Sequence, residues 1–214
     1  MGNILIDGIE VIVSDVNQYL QINDISGSDL AKIWGRIKSD YTSYEKWICY
    51  HNYDEIPFAL LEDIHAVLED DCIETRLTAE NFIYSDISEV VRITEEKFEE
   101  FADYHDKCNP ECGAKSERIK QNFSRWGVFV MLSSDKITDY IIIAVRDPKE
   151  AEIFCVEASD NIKYKALITS AAKYAFDNGK TSVLCMADEN TIVHKAALSV
   201  GFANEGFYKG YRIM

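Results

Sequence analysis

The stretch from Asp147 to Met214 restricts the possible folds of this chain more than any other. It reads strand, tight turn, long helix, strand, short helix, Gly-Phe, strand. The first strand pattern is Glu152-Ile-Phe-Cys-Val156. A helical sequence follows almost at once, starting at Asn161-Ile-Lys-Tyr-Lys-Ala-Leu-Ile168 and continuing to Asn178, where Gly179 closes it. Thr181-Ser-Val-Leu-Cys-Met186 is the next strand, and Asn190 to Phe202 forms a short helix and its exit. A strand running straight into a helix leaves the first-turn N–H groups without partners inside the helix. Such an end is an anion site, and a phosphate or pyrophosphate fits it.

These segments resemble the GCN5-related N-acetyltransferase superfamily. The resemblance rests on the strand–turn–helix at 152–178 and on Asn190 followed by Gly201-Phe202. With weaker support it reaches back to about Cys72. It implies an α/β (α+β) fold, a mixed and mostly antiparallel central sheet flanked by helices, with residues 152–156 and 181–186 as neighbouring parallel strands. Acetyl-CoA is the implied cosubstrate. Its pantetheine arm would meet the backbone of Phe154 and Val156, and its pyrophosphate the N–H groups of Ile162, Lys163, Tyr164, Lys165 and Ala166. Asn190 would reach the pantetheine side. A neutral amine would attack the thioester, a base would remove its proton, and a strand N–H would stabilise the oxyanion. Glu157 is the expected base, Asp188 the second candidate, and Asp160 a helix N-cap. In this fold the 107–117 loop and the terminal strands select the acceptor.

Two departures from the family pattern carry physical consequences. The family usually shows Arg/Gln-x-x-Gly-x-Gly/Ala before its long helix, but Ala158 to Ala166 contains no glycine. Glycines there let backbone approach a pyrophosphate closely, so their loss weakens binding unless something compensates. Lys163 and Lys165 are either that compensation, as point charges, or ordinary exposed helix lysines. The family also places a tyrosine seven residues after the asparagine, where this chain has Ala197. That tyrosine often donates a proton to the departing thiolate, and a positioned acid contributes about 10²–10⁴-fold. A thiol of pKa about 8.5 leaves tolerably without help. Tyr208 is the expected substitute acid, with Tyr211 as its neighbour; both are equally readable as packing residues. His194 lies three residues from the expected position and so should face elsewhere.

Charge points the same way. The chain carries a net charge of −15. Residues 1–70 hold 13 acidic and 4 basic side chains, whereas 161–214 hold 4 and 7, making the last third the docking face for a polyanion. The overall charge opposes nucleic-acid binding and favours cationic amine acceptors. No apolar run approaches the roughly 18 residues of a membrane span. The start, Met1-Gly-Asn-Ile-Leu-Ile-Asp7, lacks the marks of a signal peptide. A cytoplasmic protein is expected. Cys155 and Cys185 fall in strands and read as small core hydrophobes. Cys108-Asn-Pro-Glu-Cys112 with His105 offers at most three metal ligands around a fixed proline, so no metal is expected.

The remainder divides into a small N-terminal α/β subdomain, 1–70, of unknown role and an acetyltransferase-like domain, 71–214, with Glu69-Asp-Asp71 at the boundary. Asp7-Gly8 between apolar runs predicts a hairpin. Apolar residues at 30, 33, 34 and 37 predict a helix behind a Ser28 cap, and Pro57 predicts a second from Phe58 to Leu68. Cys72 to Leu77 is expected as the domain's first strand, with helices over 95–107 and 116–123 and a meander of 128–132 and 140–145. No internal sequence repeat is visible, which leaves open a front unit that is a degenerate duplicate. Dimerisation is common in such folds, so a homodimer is possible, but no residue specifies an interface. Three functions follow: an N-acetyltransferase acting on a small or peptidic primary amine, a non-catalytic acyl-CoA-binding protein, or a protein-interaction module on a degenerate fold of this kind.

Overall fold

The run Tyr140-Ile-Ile-Ile-Ala-Val145 is apolar throughout because it is buried on both faces of a sheet. In the computed structural model, which describes residues 2–15, 18–52, 55–110, 112, 114–145 and 148–213, Ile141 and Ile143 face one core while Tyr140, Ile142 and Ala144 face another. The chain forms two compact units, Met1–Cys72 with Gly206–Met214, and Ile73–Glu205.

The second unit contains that sheet. Its strands are β5 (Ala66–Thr78), β6 (Val90–Arg92), β7 (Trp126–Ser133), β8 (Lys136–Val145), β9 (Glu150–Glu157) and β10 (Ser182–Ala187), in the order β5-β10-β9-β8-β7-β6. All neighbours are antiparallel except β9 and β10, which are parallel, as expected for 152–156 and 181–186. Helices α5 (Asn161–Asp177) and α6 (Ile192–Val200) cover one face. Helices α3 (Phe98–Cys108) and α4 (Ser116–Gln121) cover the other, seating Phe98, Phe101 and Ile119 on Val128 and Val130. Helix α5 buries nine residues, six of them alanine, serine or threonine, because it lies between the sheet and α6. Residues Cys72–Leu77 form a strand, as expected, and it pairs with β10; the short β6 borders the meander. Alternating hydrophobicity marks a strand and leaves its partner unspecified.

Two glycines allow close approach. A side chain on Gly127 would stand 2.8 Å from the Tyr174 ring and 2.9 Å from Ile143. Gly201 has φ +105 and ends α6, and a Cβ there would overlap the carbonyl oxygen of Asn81. The Gly-Phe pair thus stops the helix against that carbonyl and sends Phe202 into the core.

In the first unit, β1 (Gly2–Ile6) and β2 (Ile9–Ser14) form a hairpin across Asp7-Gly8, both at positive φ. β3 (Tyr19–Asn23) runs antiparallel to β2, α1 (Gly27–Asp40) crosses over, and β4 (Glu45–His51) returns parallel to β3. Leu30, Ile33 and Ile37 of α1 fill the core with Val11, Leu20 and Ile48. The cap is Ser26, whose hydroxyl accepts from the Asp29 N–H at 3.1 Å, not Ser28. Helix α2 stops at Asp63 (Phe58–Asp63), because His65 adopts φ 59; Val67 and Leu68 then belong to β5. β11 (Ala203–Ile213) pairs antiparallel with β4 from Tyr208↔His51 to Ile213↔Lys46. The acidic run Glu69–Asp71 lies within β5, where Glu69 and Asp71 pair with Arg212 and Lys209.

The two units therefore share one chain order: hairpin, third antiparallel strand, crossover helix, parallel strand, short helix. Each is completed by an antiparallel strand from the other half of the sequence, β11 in the first and β5 in the second. Among the described residues, no helix is long and apolar enough to cross a membrane.

Candidate functional site

The β9–β10 ladder runs from Ser182↔Glu150 to Cys185↔Ile153 and stops there, although β9 continues to Glu157 and β10 to Ala187. The cause is local. Opposite β8, Ile142 faces Cys155 and Ile143 faces Ile153, so Phe154 is an extra residue in β9. A bulge of this kind bends a strand and increases its twist. The ladder with β10 thus ends at the bulge, and Phe154–Glu157 run on to the loop before the α5 N-terminus. In the first unit the corresponding pair stays closed: β3 meets β4 to its last residue, Asn23↔Cys49, and the Asp24 N–H donates to the Cys49 carbonyl at 2.8 Å.

At the start of α5, Asp160 Oδ1 accepts from the Ile162 N–H at 2.9 Å and the Lys163 N–H at 3.0 Å. Asp160 is thus the N-cap, and it satisfies two of the donors an anion would use. Lys163 Nζ reaches the carboxylate of Asp139 at 2.8 Å and Ser159 Oγ at 2.9 Å. Asp139 is fully buried. Burial acts to raise its pKa, but hydrogen bonds from Lys163, Thr138 and Ser159 outweigh that and hold it below the ordinary value. Lys165 is half-buried, Tyr164 and Ala166 are buried, and Ile162 is exposed. Val156 packs on the α5 side of the sheet and Phe154 against Trp126. Asn190 is exposed at φ 65, and its N–H donates to His194 Nδ1 at 3.1 Å. His194 also meets Asn204 at 2.9 Å and Ala197 is fully buried, so both are packing positions of α6.

A cavity of about 310 Å³ lies at the end of β9, lined by Tyr104, Cys108, Asn109, Thr138, Tyr140 and Glu157, with Ala158 and Ser159 at its edge. Asn109 Nδ2 donates to Glu157 Oε1 at 3.2 Å and to Cys155 Sγ at 3.3 Å. Burial raises the Glu157 pKa; negative charge on Cys112 adds to the rise and the His105 imidazole opposes it. His105 is fully buried, with Nδ1 2.8 Å from Tyr140 Oη and Nε2 2.9 Å from the Ala114 carbonyl oxygen. His105 is thus engaged by Tyr140 and the Ala114 carbonyl through both ring nitrogens. Among the described residues no set of three candidate ligands is placed to hold a metal. Cys185 is the expected core thiol, whereas Cys155 is half-buried and bonded to polar groups.

Tyr208 belongs to the first unit. Its hydroxyl donates to Cys49 Sγ at 3.2 Å and its ring lies 5.0 Å from that of His51. Burial and the Cys49 thiol push its pKa up. Tyr211 packs edge-on against Tyr50.

Sequence reasoning missed Asn109, Tyr140 and Asp139. Asp139 had a signal: on β8 it alternates with Ile137 and Ile141, so it had to face inward and needed a cation. Asn109 had none.

No family model matches the sequence, and no curated protein matches it. Solved structures do. A GCN5-related N-acetyltransferase from Kribbella flavida superposes with a TM-score of 0.72 at 8% identity, over 99% of this chain and 89% of that one. A tandem GNAT protein from the clavulanic acid biosynthesis pathway gives 0.58 at 8% identity, over 95% and 77%. The N-myristoyltransferase of Saccharomyces cerevisiae, solved with myristoyl-CoA and inhibitors, gives 0.59 at 11% identity, over 96% and 61%. The chain has the fold of the GCN5-related N-acetyltransferases.

Proposed function

We propose that the second unit is an acyl-CoA-dependent N-acyltransferase site that acetylates a small primary amine. The observation that carries the reading is the end of the β9–β10 ladder at Ile153↔Cys185, which leaves the last residues of β9 outside it up to Glu157, a carboxylate of raised pKa. Acetyl-CoA is the cosubstrate proposed for that strand end: Val156 and its neighbours on β9 would hold the pantetheine arm, Asn190 its far side, and the α5 start with Lys165 its phosphates. The thioester supplies the acyl group and a thiolate that leaves without a dedicated acid. Glu157 takes the proton of the amine, since a carboxylate of raised pKa is the stronger base. Asn109 orients that carboxylate through its 3.2 Å bond. Tyr104, Thr138 and Ser159 give the cavity hydroxyl groups for an amine donor, and Glu157 favours a cationic acceptor.

Asp160 favours a second reading, a protein that binds acyl-CoA weakly and does not turn it over. Its carboxylate already occupies donors at the helix start, and the charge of Lys163 is spent on Asp139. Calorimetric titration of the full chain with acetyl-CoA, followed by CoA release across an amine panel, separates the two. Micromolar binding with amine-dependent release supports transfer. Binding without release supports the second reading, and no heat at millimolar acetyl-CoA retires both.

A further inference from the structure

A second cleft of the second unit shares no lining residue with the cavity at Glu157. It lies where α5 crosses the β6–β7 edge of the sheet and has a volume of about 180 Å³. Val90, Phe129 and Tyr174 give it apolar walls, and Arg92, Lys173 and Asp177 give it charge. Strand pairing puts Arg92 there. It is the ladder partner of Phe129 and stands two residues from Val90, so all three share the α5 face. The guanidinium lies over the Tyr174 ring, 4.4 Å from its centroid, and donates to the Tyr174 hydroxyl at 3.3 Å. Phe129 packs edge-on against the same ring at 5.5 Å. Two contacts thus fix a side chain that otherwise has many rotamers.

Charge makes this arginine unusual. The chain has 37 acidic residues against 22 basic ones, so carboxylate partners are plentiful. Arg36, Arg76 and Arg212 each meet one. Among the described residues Arg92 meets a ring and a hydroxyl instead. Lys173, the other cation of the cleft, is neutralised by Asp177.

We propose that this cleft binds a small monocarboxylate with a flat apolar body, its carboxylate on Arg92 and its body against Val90 and Phe129. A guanidinium carries more N–H donors than the one bond to Tyr174 uses, so a two-pronged pairing with a carboxylate remains available. The charges select the class. With Lys173 spent, the cleft offers one positive charge, enough for a monoanion. A phosphate dianion would be half compensated and would face Asp177, and a cation would face Arg92. Volume selects the size. Drug-sized ligands fill about 300–1,000 Å³. A cleft of about 180 Å³ therefore takes a single ring with its carboxylate.

The inference is independent of acyl transfer, because it is read by binding alone in the absence of acetyl-CoA. Equilibrium dialysis of the full chain with radiolabelled benzoate should show one saturable site, with a dissociation constant of about 1 mM or tighter. Arg92→Gln should weaken it at least about tenfold, and Arg92→Lys, which keeps the charge without the fork, about threefold. Tyr174→Phe removes only the hydroxyl that holds Arg92 and should also weaken it about threefold. Arg118→Gln, the matching change at the arginine over Trp126, should leave it within about twofold. Thermal melts check that each variant is folded, and Tyr174→Phe carries the test if Arg92→Gln is not. No saturable binding at tens of millimolar benzoate would overturn the proposal. So would benzyl alcohol or inorganic phosphate binding as tightly as benzoate, or folded Arg92 and Tyr174 variants that bind benzoate like the unsubstituted chain.

Discussion

Replacing Asp160 by Asn should tighten acetyl-CoA binding, an unusual direction for a change at the mouth of a site. The Asp160 carboxylate accepts from the Ile162 and Lys163 N–H groups at 2.9 and 3.0 Å, and a phosphate drawn to the α5 start competes for those donors. Two oxygens sharing the same donors are about 5 Å apart or less, where unit charges in water repel by roughly 0.8 kcal/mol. A diphosphate doubles the figure, and screening at about 0.15 M salt roughly halves it again. The net is about 1 kcal/mol, or roughly fivefold in affinity, and more at low salt. Asn caps a helix about as well as Asp, so the fold should persist, with a loss of under about 1 kcal/mol from the helix dipole. Calorimetry at two salt concentrations measures the effect, with thermal melts as the control for folding. Affinity that is unchanged or weaker at low salt would refute the reasoning, because the phosphates then do not meet this helix end.

Three further outcomes are expected. Glu157→Gln should cut amine-dependent CoA release by about 10²–10⁴-fold while leaving the acetyl-CoA dissociation constant within about twofold; an equal loss in both would place Glu157 in binding rather than proton transfer. Gly201→Ala should destabilise the chain by more than about 2 kcal/mol in urea unfolding, since it adds a left-handed backbone penalty to an overlap with the Asn81 carbonyl; wild-type stability would mean α6 ends differently. Asp139 is held below its ordinary pKa, so its contribution is complete above the unfolded value of about 3.9 and is lost as pH falls through the lower folded one. Lys163→Met should therefore lower the melting midpoint more at pH 7 than at pH 3, and Asp139→Asn/Lys163→Met should recover part of the loss; equal loss at both pH values would exclude the ion pair as the cause.

Periodicity carried most of the architecture. The β9–α5–β10 crossover, the β7–β8 meander and the Asp7-Gly8 hairpin were all legible, because each is a local pattern of burial and turn chemistry. Strand partners were not. Cys72–Leu77 alternates as a strand should, yet nothing in its residues says that it borders β10. The repeated chain order of the two units was hidden for the same reason: hydrogen-bond topology survives substitutions that erase sequence likeness. The site was legible in part. Glu157 could be placed from the end of its strand, and Asp160 from its cap position. Asn109 depends on how the C-terminal end of α3 meets β9, a long-range contact that no local pattern encodes.

The bulge explains why one unit offers a site and the other does not. Both units build a parallel pair through a crossover helix, and both put a short loop between strand and helix, 24–26 in the first and 158–160 in the second. In the first, β2 and β3 keep register from Ile12↔Gln21 to Ser14↔Tyr19, and β3 stays hydrogen-bonded to β4 to its end. Backbone satisfied in a ladder has nothing left to offer a ligand. In the second, the extra residue at Phe154 shifts register with β8, and the ladder with β10 ends at Ile153, before β9 reaches Glu157. One inserted residue thus separates a packing unit from a candidate active site on the same topology. The second unit thus has the split strand pair of this fold without a glycine between Ala158 and Ala166.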